Sequence, residues 1–113
     1  MANRKDILIV TSPHIPGRKI IKTLGLVRGN TIRARNVGHD IVAVLRSLIG
    51  GEINEYRKLL AESREQSIDR MLDEAEQLGA NAIISMEFST SVIMANAAEM
   101  MAYGTAVIVE DET

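Results

Sequence analysis

The sequence predicts an α+β domain in which an antiparallel or mixed sheet packs on one long helix, with a short helix beside it. Strand-length apolar or alternating segments lie near both ends of the chain, and a long stretch with helical spacing separates them. Consecutive strands at both ends favour antiparallel or mixed pairing. With 113 residues, the chain is long enough for one hydrophobic core, so we expect a single domain over residues 1–113.

The strand signals of the first half begin with Ile7–Thr11, a continuous aliphatic run typical of a strand covered on both faces. Residues Ser12–Gly17 hold two prolines and a glycine, which predict a loop. Lys19–Val27 and Thr31–Asn36 alternate in polarity. Because Arg28-Gly29-Asn30 between them has the composition of a turn, these segments predict a β-hairpin.

Two helices are expected in the middle of the chain. Ile41–Ile49 is apolar and is followed by Gly50-Gly51, which predicts a short buried helix with a glycine cap. Glu55–Leu78 has apolar residues at three- and four-residue spacing and ends at Gly79, so it predicts a long amphipathic helix. On its surface, Arg70 and Glu74 have the spacing of an i,i+4 ion pair.

The long helix is unusually polar on its inner stripe, where Ser63, Arg64 and Ser67 replace aliphatic residues. This polar middle predicts that another backbone or a neighbouring subunit packs closely there. An arginine on this stripe needs carboxylates or carbonyls as partners. We therefore expect Arg64 to have a structural role, holding the helix against a polar partner at or near a subunit boundary, and Glu87 and Glu99 are the foremost candidate partners.

The second half ends in two strands. In Ala82–Val92, alternation predicts one apolar and one polar face, and Met100–Val109 predicts a final strand before an acidic tail, Glu110–Thr113, that we expect to fray. The expected apolar face comprises Ala82, Ile84, Met86, Phe88 and Val92, and the expected polar face comprises Ser85, Glu87, Ser89 and Ser91.

Composition excludes several classes of function. The chain has no cysteine, hence no disulfide, thiolate metal site or cysteine nucleophile. No apolar run reaches the roughly 20 residues of a membrane span, so we expect a soluble, cytoplasmic protein without a membrane partner. Aromatic residues make up only 3%, which disfavours stacking on nucleic-acid bases and leaves little area to bury within one subunit.

Charge is divided unevenly along the chain. Residues 1–58 hold eleven Lys or Arg against four acids, and residues 59–113 hold two against eleven. This division favours an acidic surface meeting a basic one, within or between subunits, over a nucleic-acid face, for which the sequence pI of 5.7 is too low. The residues therefore point to a homo-oligomer with no nucleic-acid partner.

Candidate binding residues are few. Arg33 and Arg35 project from one face of their predicted strand and could hold a small anion, although a solvated strand face is the favoured interpretation. With Arg64, Glu87 and Tyr103 they form our set of candidate ligand-binding or interface residues.

No metal, cofactor or catalytic site is expected. The only histidines, His14 and His39, fall in different predicted loops, and an inter-subunit site repeating His14 or Glu87 around a ring is the remaining route to metal binding. Met86, Met94, Met100 and Met101 are predicted to pack at a subunit interface. His39-Asp40 could form an acid/base dyad, but Asp40 suits a helix N-cap better, and Gly50-Gly51-Glu52 suits a turn better than an anion site.

Several motifs together resemble the YbjQ-like family over about Ile7–Val109. They are Leu24-Gly25-Leu26-Val27-Arg28-Gly29, Gly50-Gly51 followed by Tyr56, Ala61-Glu62-Ser63-Arg64, Gly79-Ala80-Asn81-Ala82-Ile83-Ile84 and Tyr103-Gly104-Thr105-Ala106-Val107. The resemblance implies a dodecin-like subunit and a pentameric ring with strands paired between subunits. It also implies the family's label of heavy-metal binding, for proteins of unknown function.

Three functions stay open at this point. The first is a non-enzymatic oligomeric module that binds a small ligand or a partner. The second is a heavy-metal-binding protein that uses His, Glu or Met ligands from more than one subunit. The third is a small enzyme that uses His39 or Arg64 in an interface cleft.

Overall fold

The structure, a computed structural model, describes residues 6–34, 53–94 and 97–112. In these ranges the chain forms one sheet of four strands and one helix, in the order β1 (Leu8–Ile9), β2 (Arg18–Ala34), α1 (Ile53–Gln77), β3 (Ala82–Met94) and β4 (Ala97–Asp111). The strand order is β1-β3-β4-β2, with β1 parallel to β3 and the other pairs antiparallel. The predicted α+β class, with a mixed sheet and one long helix, is confirmed. The predicted short helix lies outside the described residues.

The predicted hairpin is wrong, because β2 is one continuous strand of 17 residues that pairs with β4 along its whole length. Gly29 lies in its middle, opposite Ala102, and makes no turn. Its role is steric: a Cβ at Gly29 would come within 2.1 Å of the Ser67 carbonyl oxygen and 2.4 Å of the Met71 backbone nitrogen. Glycine therefore serves here to let the helix backbone approach the strand.

Helix α1 packs its inner face on β2 and β4 and ends in a glycine cap. Met71, Leu72 and Ala75 are fully buried on this face. At the end, Gly79 takes a φ of 82°, its N–H bonds the Glu76 carbonyl at 3.0 Å, and the Ala80 N–H bonds the Ala75 carbonyl at 3.1 Å. This pair of bonds is a Schellman motif, so the predicted glycine stop is confirmed. The core between helix and sheet comprises Ile7, Val27, Met71, Leu72, Ala75, Ile83, Met86, Ala102 and Ala106.

The polar middle of the helix is also explained by the close approach at Gly29. Ser63 and Ser67 are both buried, and the Ser67 hydroxyl lies 3.0 Å from the Thr31 hydroxyl, 2.9 Å from the Ser63 carbonyl and 3.0 Å from the Met100 carbonyl. Small hydroxyl side chains fit where a leucine would not, and their polar atoms find partners. The prediction that another backbone packs closely here is confirmed.

A β-bulge in β3 overturns the predicted alternation of its side chains. The pairing with β4 shifts between Ile84 and Glu87, and Ser85 takes a φ of 54°. The extra residue places Ile83 and Met86 together in the core under the helix, whereas Ile84 packs on the opposite side of the sheet. Ala82 and Ile84 therefore do not share a face with Met86, as the simple period of two had predicted.

A second apolar cluster lies on the sheet face away from the helix. It comprises Ile15, Ala82, Val107 and Val109, with Ile15 supplied by the predicted loop that follows β1. Beside this cluster, the Asn81 side chain bonds both backbone polar groups of Val109. Its amide donates to the Val109 carbonyl at 2.9 Å and accepts from the Val109 N–H at 2.8 Å. The amide thus pairs with β4 as a strand residue would.

Strand β1 and the acidic tail both differ from the sequence-based predictions. The strand at Ile7–Thr11 is reduced to two residues, and Leu8 is 41% exposed, since β1 lies at the sheet edge and is not covered on both faces. The acidic tail does not fray from Glu110, because β4 continues to Asp111 and the Glu112 N–H bonds the Gly17 carbonyl at 2.9 Å. Within the described ranges, no helix has the length and apolar character needed to span a membrane.

Candidate functional site

A row of polar side chains crosses three strands on the sheet face away from the helix. Glu87 in β3 and Arg28 in β2 both lie opposite Tyr103 in β4. Arg28 alternates with Val27 and Gly29, which face the helix, so its own side chain lies on the open face. The Tyr103 hydroxyl donates a hydrogen bond of 2.7 Å to the Glu87 carboxylate. This row gives the open face a carboxylate, a phenol and a guanidinium within three neighbouring strands.

The electrostatics of the row follow from the Tyr103 hydrogen bond. Donation to Glu87 raises the pKa of Tyr103 above its ordinary 10.0, and the negative charge of that carboxylate adds to the effect. Both causes favour the protonated phenol, since a phenolate would lose the bond and repel the carboxylate. Tyr103 is therefore a hydrogen-bond donor at neutral pH.

The neighbouring pair on the same face involves Glu99, which accepts a bond of 2.9 Å from the Asn30 side-chain amide. Glu87 and Glu99 are thus engaged with Tyr103 and Asn30, and they were the partners predicted for Arg64. The Arg64 side chain is exposed in the subunit, so it is not buried on the inner stripe. Ser63 and Ser67 occupy that stripe instead, and a place for Arg64 at a subunit boundary stays a prediction.

The outer edge of β2 carries contacts that the sequence did not predict. One guanidinium nitrogen of Arg70 donates to the Asn30 carbonyl, and the Arg28 N–H donates to the Glu74 carboxylate at 3.3 Å. Arg70 and Glu74 have the spacing of a surface ion pair along the helix, but in the structure each side chain also bonds the backbone of β2. The only feature of the sequence that could have indicated these contacts is Gly29, which allows the helix and the strand to approach closely.

Large apolar side chains stay exposed on the described part of the subunit. Phe88 and Val92 lie on the helix side of β3, but α1 covers β2 and β4, so the two are 41% and 72% exposed. On β2, Leu26 and Ile32 are 62% and 61% exposed. Ile20 and Ile21 are also exposed. These side chains leave apolar surface on both long edges of the sheet.

The other predicted site residues are only partly placed. Arg35 and His39 lie outside the described residues, and Arg33 is placed by its backbone alone, opposite Ala98. His14 is exposed in the loop after β1. In the described ranges, no three histidine, aspartate or glutamate side chains come together as metal ligands. Of the five candidate residues, the structure brings together Glu87 and Tyr103.

The methionines that the structure describes differ in burial, and the side chain of Met94 lies outside the described residues. Met86 and Met100 are buried within the subunit, each 6% exposed, and the Thr90 hydroxyl lies 3.1 Å from the Met100 sulfur. Met101 is half-buried on the open face. Packing at a subunit interface, as predicted from the sequence, is therefore wrong for Met86 and Met100, because their own subunit already encloses them.

Within the described ranges, the fold belongs to a class of small α+β domains with a four-stranded mixed sheet and one long helix. A solved structure of this class, a protein of unknown function in the DUF74 family from Pediococcus pentosaceus, superposes with a TM-score of 0.65. That likeness covers 92% of this chain and 98% of the other, at 15% sequence identity, and therefore shows the fold alone.

The sequence comparisons identify the family. The family model of YbjQ, described as "Putative heavy-metal-binding", matches residues 7–110, and the chain belongs to this family. A UPF0145 protein of Dehalococcoides mccartyi is 58% identical over 92% of this chain and 100% of its own length. A UPF0145 protein of Methanosarcina acetivorans is 52% identical over 89% and 95%, and one of Pyrococcus horikoshii is 47% identical over 97% and 94%. The resemblance found in the sequence motifs is confirmed.

Proposed function

We propose that this chain is the subunit of a non-enzymatic homo-oligomeric ring, a pentamer of dodecin-like subunits, that serves as a binding or structural module. The observation that carries the proposal is the pair of long sheet edges with exposed apolar side chains. In the described ranges, β2 has no strand on its outer side, and β3 has none beyond the two residues paired with β1. Open edges of this length usually pair or aggregate unless they are covered.

The two edges differ in charge, which favours a head-to-tail arrangement. Strand β2 has five basic residues and no acidic one, whereas the only charged residue of β3 is Glu87. A basic edge on one copy and a neutral to acidic edge on the next are complementary, and like edges are not. Contacts between two different surfaces close into a ring when the rotation allows it. The family resemblance supports five subunits.

The proposal is tested by placing a charge on the uncovered surface. Val92→Asp should weaken assembly about tenfold or more, because a carboxylate would be buried against the next subunit. The circular dichroism of the subunit should stay unchanged, since Val92 is 72% exposed. Leu78→Asp, at another exposed apolar position at the end of α1, is the matched control. Unchanged assembly of Val92→Asp in sedimentation velocity would overturn this assignment of the interface.

Metal binding is the second candidate function, favoured by the description of the family model. In a ring, His14 from the exposed loop or Glu87 from the open face would be repeated around the axis and could supply ligands from several subunits. Elemental analysis after dialysis against a mild chelator tests this candidate. One retained metal per chain, lost in His14→Ala, would establish it in place of the module without metal.

A further inference from the structure

The outer edge of β2 is closed at one place by side chains of the helix. The Arg28 N–H and the Asn30 carbonyl are two residues apart on the strand and point to the same edge, away from β4. Glu74 accepts from the first group and Arg70 donates to the second. Both backbone groups are therefore already occupied inside the subunit.

These two side chains reproduce what a neighbouring strand would offer. A partner strand presents a carbonyl oxygen to each free N–H and an N–H to each free carbonyl. Here a carboxylate takes the place of the carbonyl and a guanidinium takes the place of the N–H. The helix can supply them because Gly29 allows its backbone to lie directly on the strand.

The remaining edges carry no such closure in the described part of the chain. In the N-terminal part of β2, residues Arg18–Leu26 have no neighbouring strand on their outer side among the described elements. The side chains of Ile20, Ile21 and Leu26 are exposed there. On β3, the loop after β1 bonds the N–H groups of Ser85 and Met86, and the edge from Glu87 onward has no neighbouring strand among the described elements.

We propose that Arg70 and Glu74 close the middle of the β2 edge to the strand of a second copy, so that self-association uses the open section Arg18–Leu26 and the β3 edge. This inference rests on the proposed self-assembly. The occupant is a second copy because the basic β2 edge and the β3 edge with Glu87 complement each other within one sequence. Closure at 28–30 then prevents strands from adding in the wrong register.

The test compares three variants of the full chain. Glu74→Met removes the acceptor, Glu74→Gln keeps an amide oxygen in its place, and Glu76→Met makes the same substitution at an exposed helix position. We expect Glu74→Met to raise the hydrogen-exchange rate of the Arg28 amide about tenfold and to form species heavier than the wild type. Glu74→Gln and Glu76→Met should match the wild type in both measurements.

The outcomes separate this inference from the proposed ring. Equal Arg28 exchange and equal mass distributions for Glu74→Met and Glu76→Met would overturn the closure, whatever the mass of the wild type. Arg70→Met tests the same edge independently, because it removes the donor to the Asn30 carbonyl. This variant should also form species heavier than the wild type. A wild type with the mass of a single chain would contradict the ring, and exchange at Arg28 would still decide the closure.

Discussion

Gly29 lies so close to Ser67 that a Cβ on the glycine would be 2.1 Å from the serine carbonyl oxygen. This contact sets the distance between helix α1 and strand β2. It explains the glycine in the middle of a 17-residue strand, the small buried residues of the helix and the reach of Arg70 and Glu74 to the strand edge.

Gly29→Ala should destabilise the subunit by about 3 kcal/mol or more, because the added methyl meets helix backbone, which cannot move aside as a side chain can. Gly25→Ala provides the comparison. Its Cβ would meet no atom within 4 Å, and its φ of 122° leaves only backbone strain, roughly 1–3 kcal/mol. Thermal unfolding of both variants measures the difference. A smaller loss for Gly29→Ala than for Gly25→Ala would contradict the close packing.

Ser67→Ala should cost about 1–3 kcal/mol, since it leaves the buried Thr31 hydroxyl without its partner. Ser91→Ala, at an exposed position on the open face, should change the free energy of unfolding by less than about 0.5 kcal/mol. Denaturant unfolding at neutral pH compares the two. Equal losses would mean that the Ser67 hydroxyl does not hold the helix to the sheet.

Tyr103 should ionise above its ordinary pKa of 10.0 in the folded protein, because it donates to the Glu87 carboxylate. A raised folded pKa means that this bond stabilises the fold fully below about pH 10 and is lost as the pH rises through the raised value. Absorbance at the phenolate band in a Tyr56→Phe background follows this single phenol. Glu87→Gln should lower the pKa, and Glu99→Gln should leave it unchanged. No difference between the two would show that the Glu87 charge does not act on Tyr103.

The helix could be predicted closely from the sequence, and the strands only in part. The 3.6-residue spacing and Gly79 are local signals, so the predicted 55–78 agrees with the observed Ile53–Gln77 to within about two residues. Gly29 was misleading, because a glycine required by close packing has the same composition as a turn. The bulge at Ser85 reverses which face of the sheet the following side chains occupy, and no residue of β3 indicates this in the sequence.

The contacts of the candidate site also could not be predicted from local sequence patterns. Glu87 and Tyr103 could be selected as polar residues of neighbouring strands, but their contact depends on the register of β3 against β4, which the bulge sets. Arg70 and Glu74 looked like a solvent-exposed helix pair. Their bonds to Asn30 and Arg28 arise from packing 40 and 46 residues away in sequence, which spacing along one helix does not encode.

In the proposed ring, each subunit completes its sheet edges with other copies of the same chain. Sedimentation equilibrium of the wild type over a wide range of concentrations tests it most directly. A closed ring predicts a single species with a constant mass of five times the 12.4 kDa chain. A mass of one chain at every concentration would contradict self-assembly, and a mass that grows without limit would contradict closure of the ring.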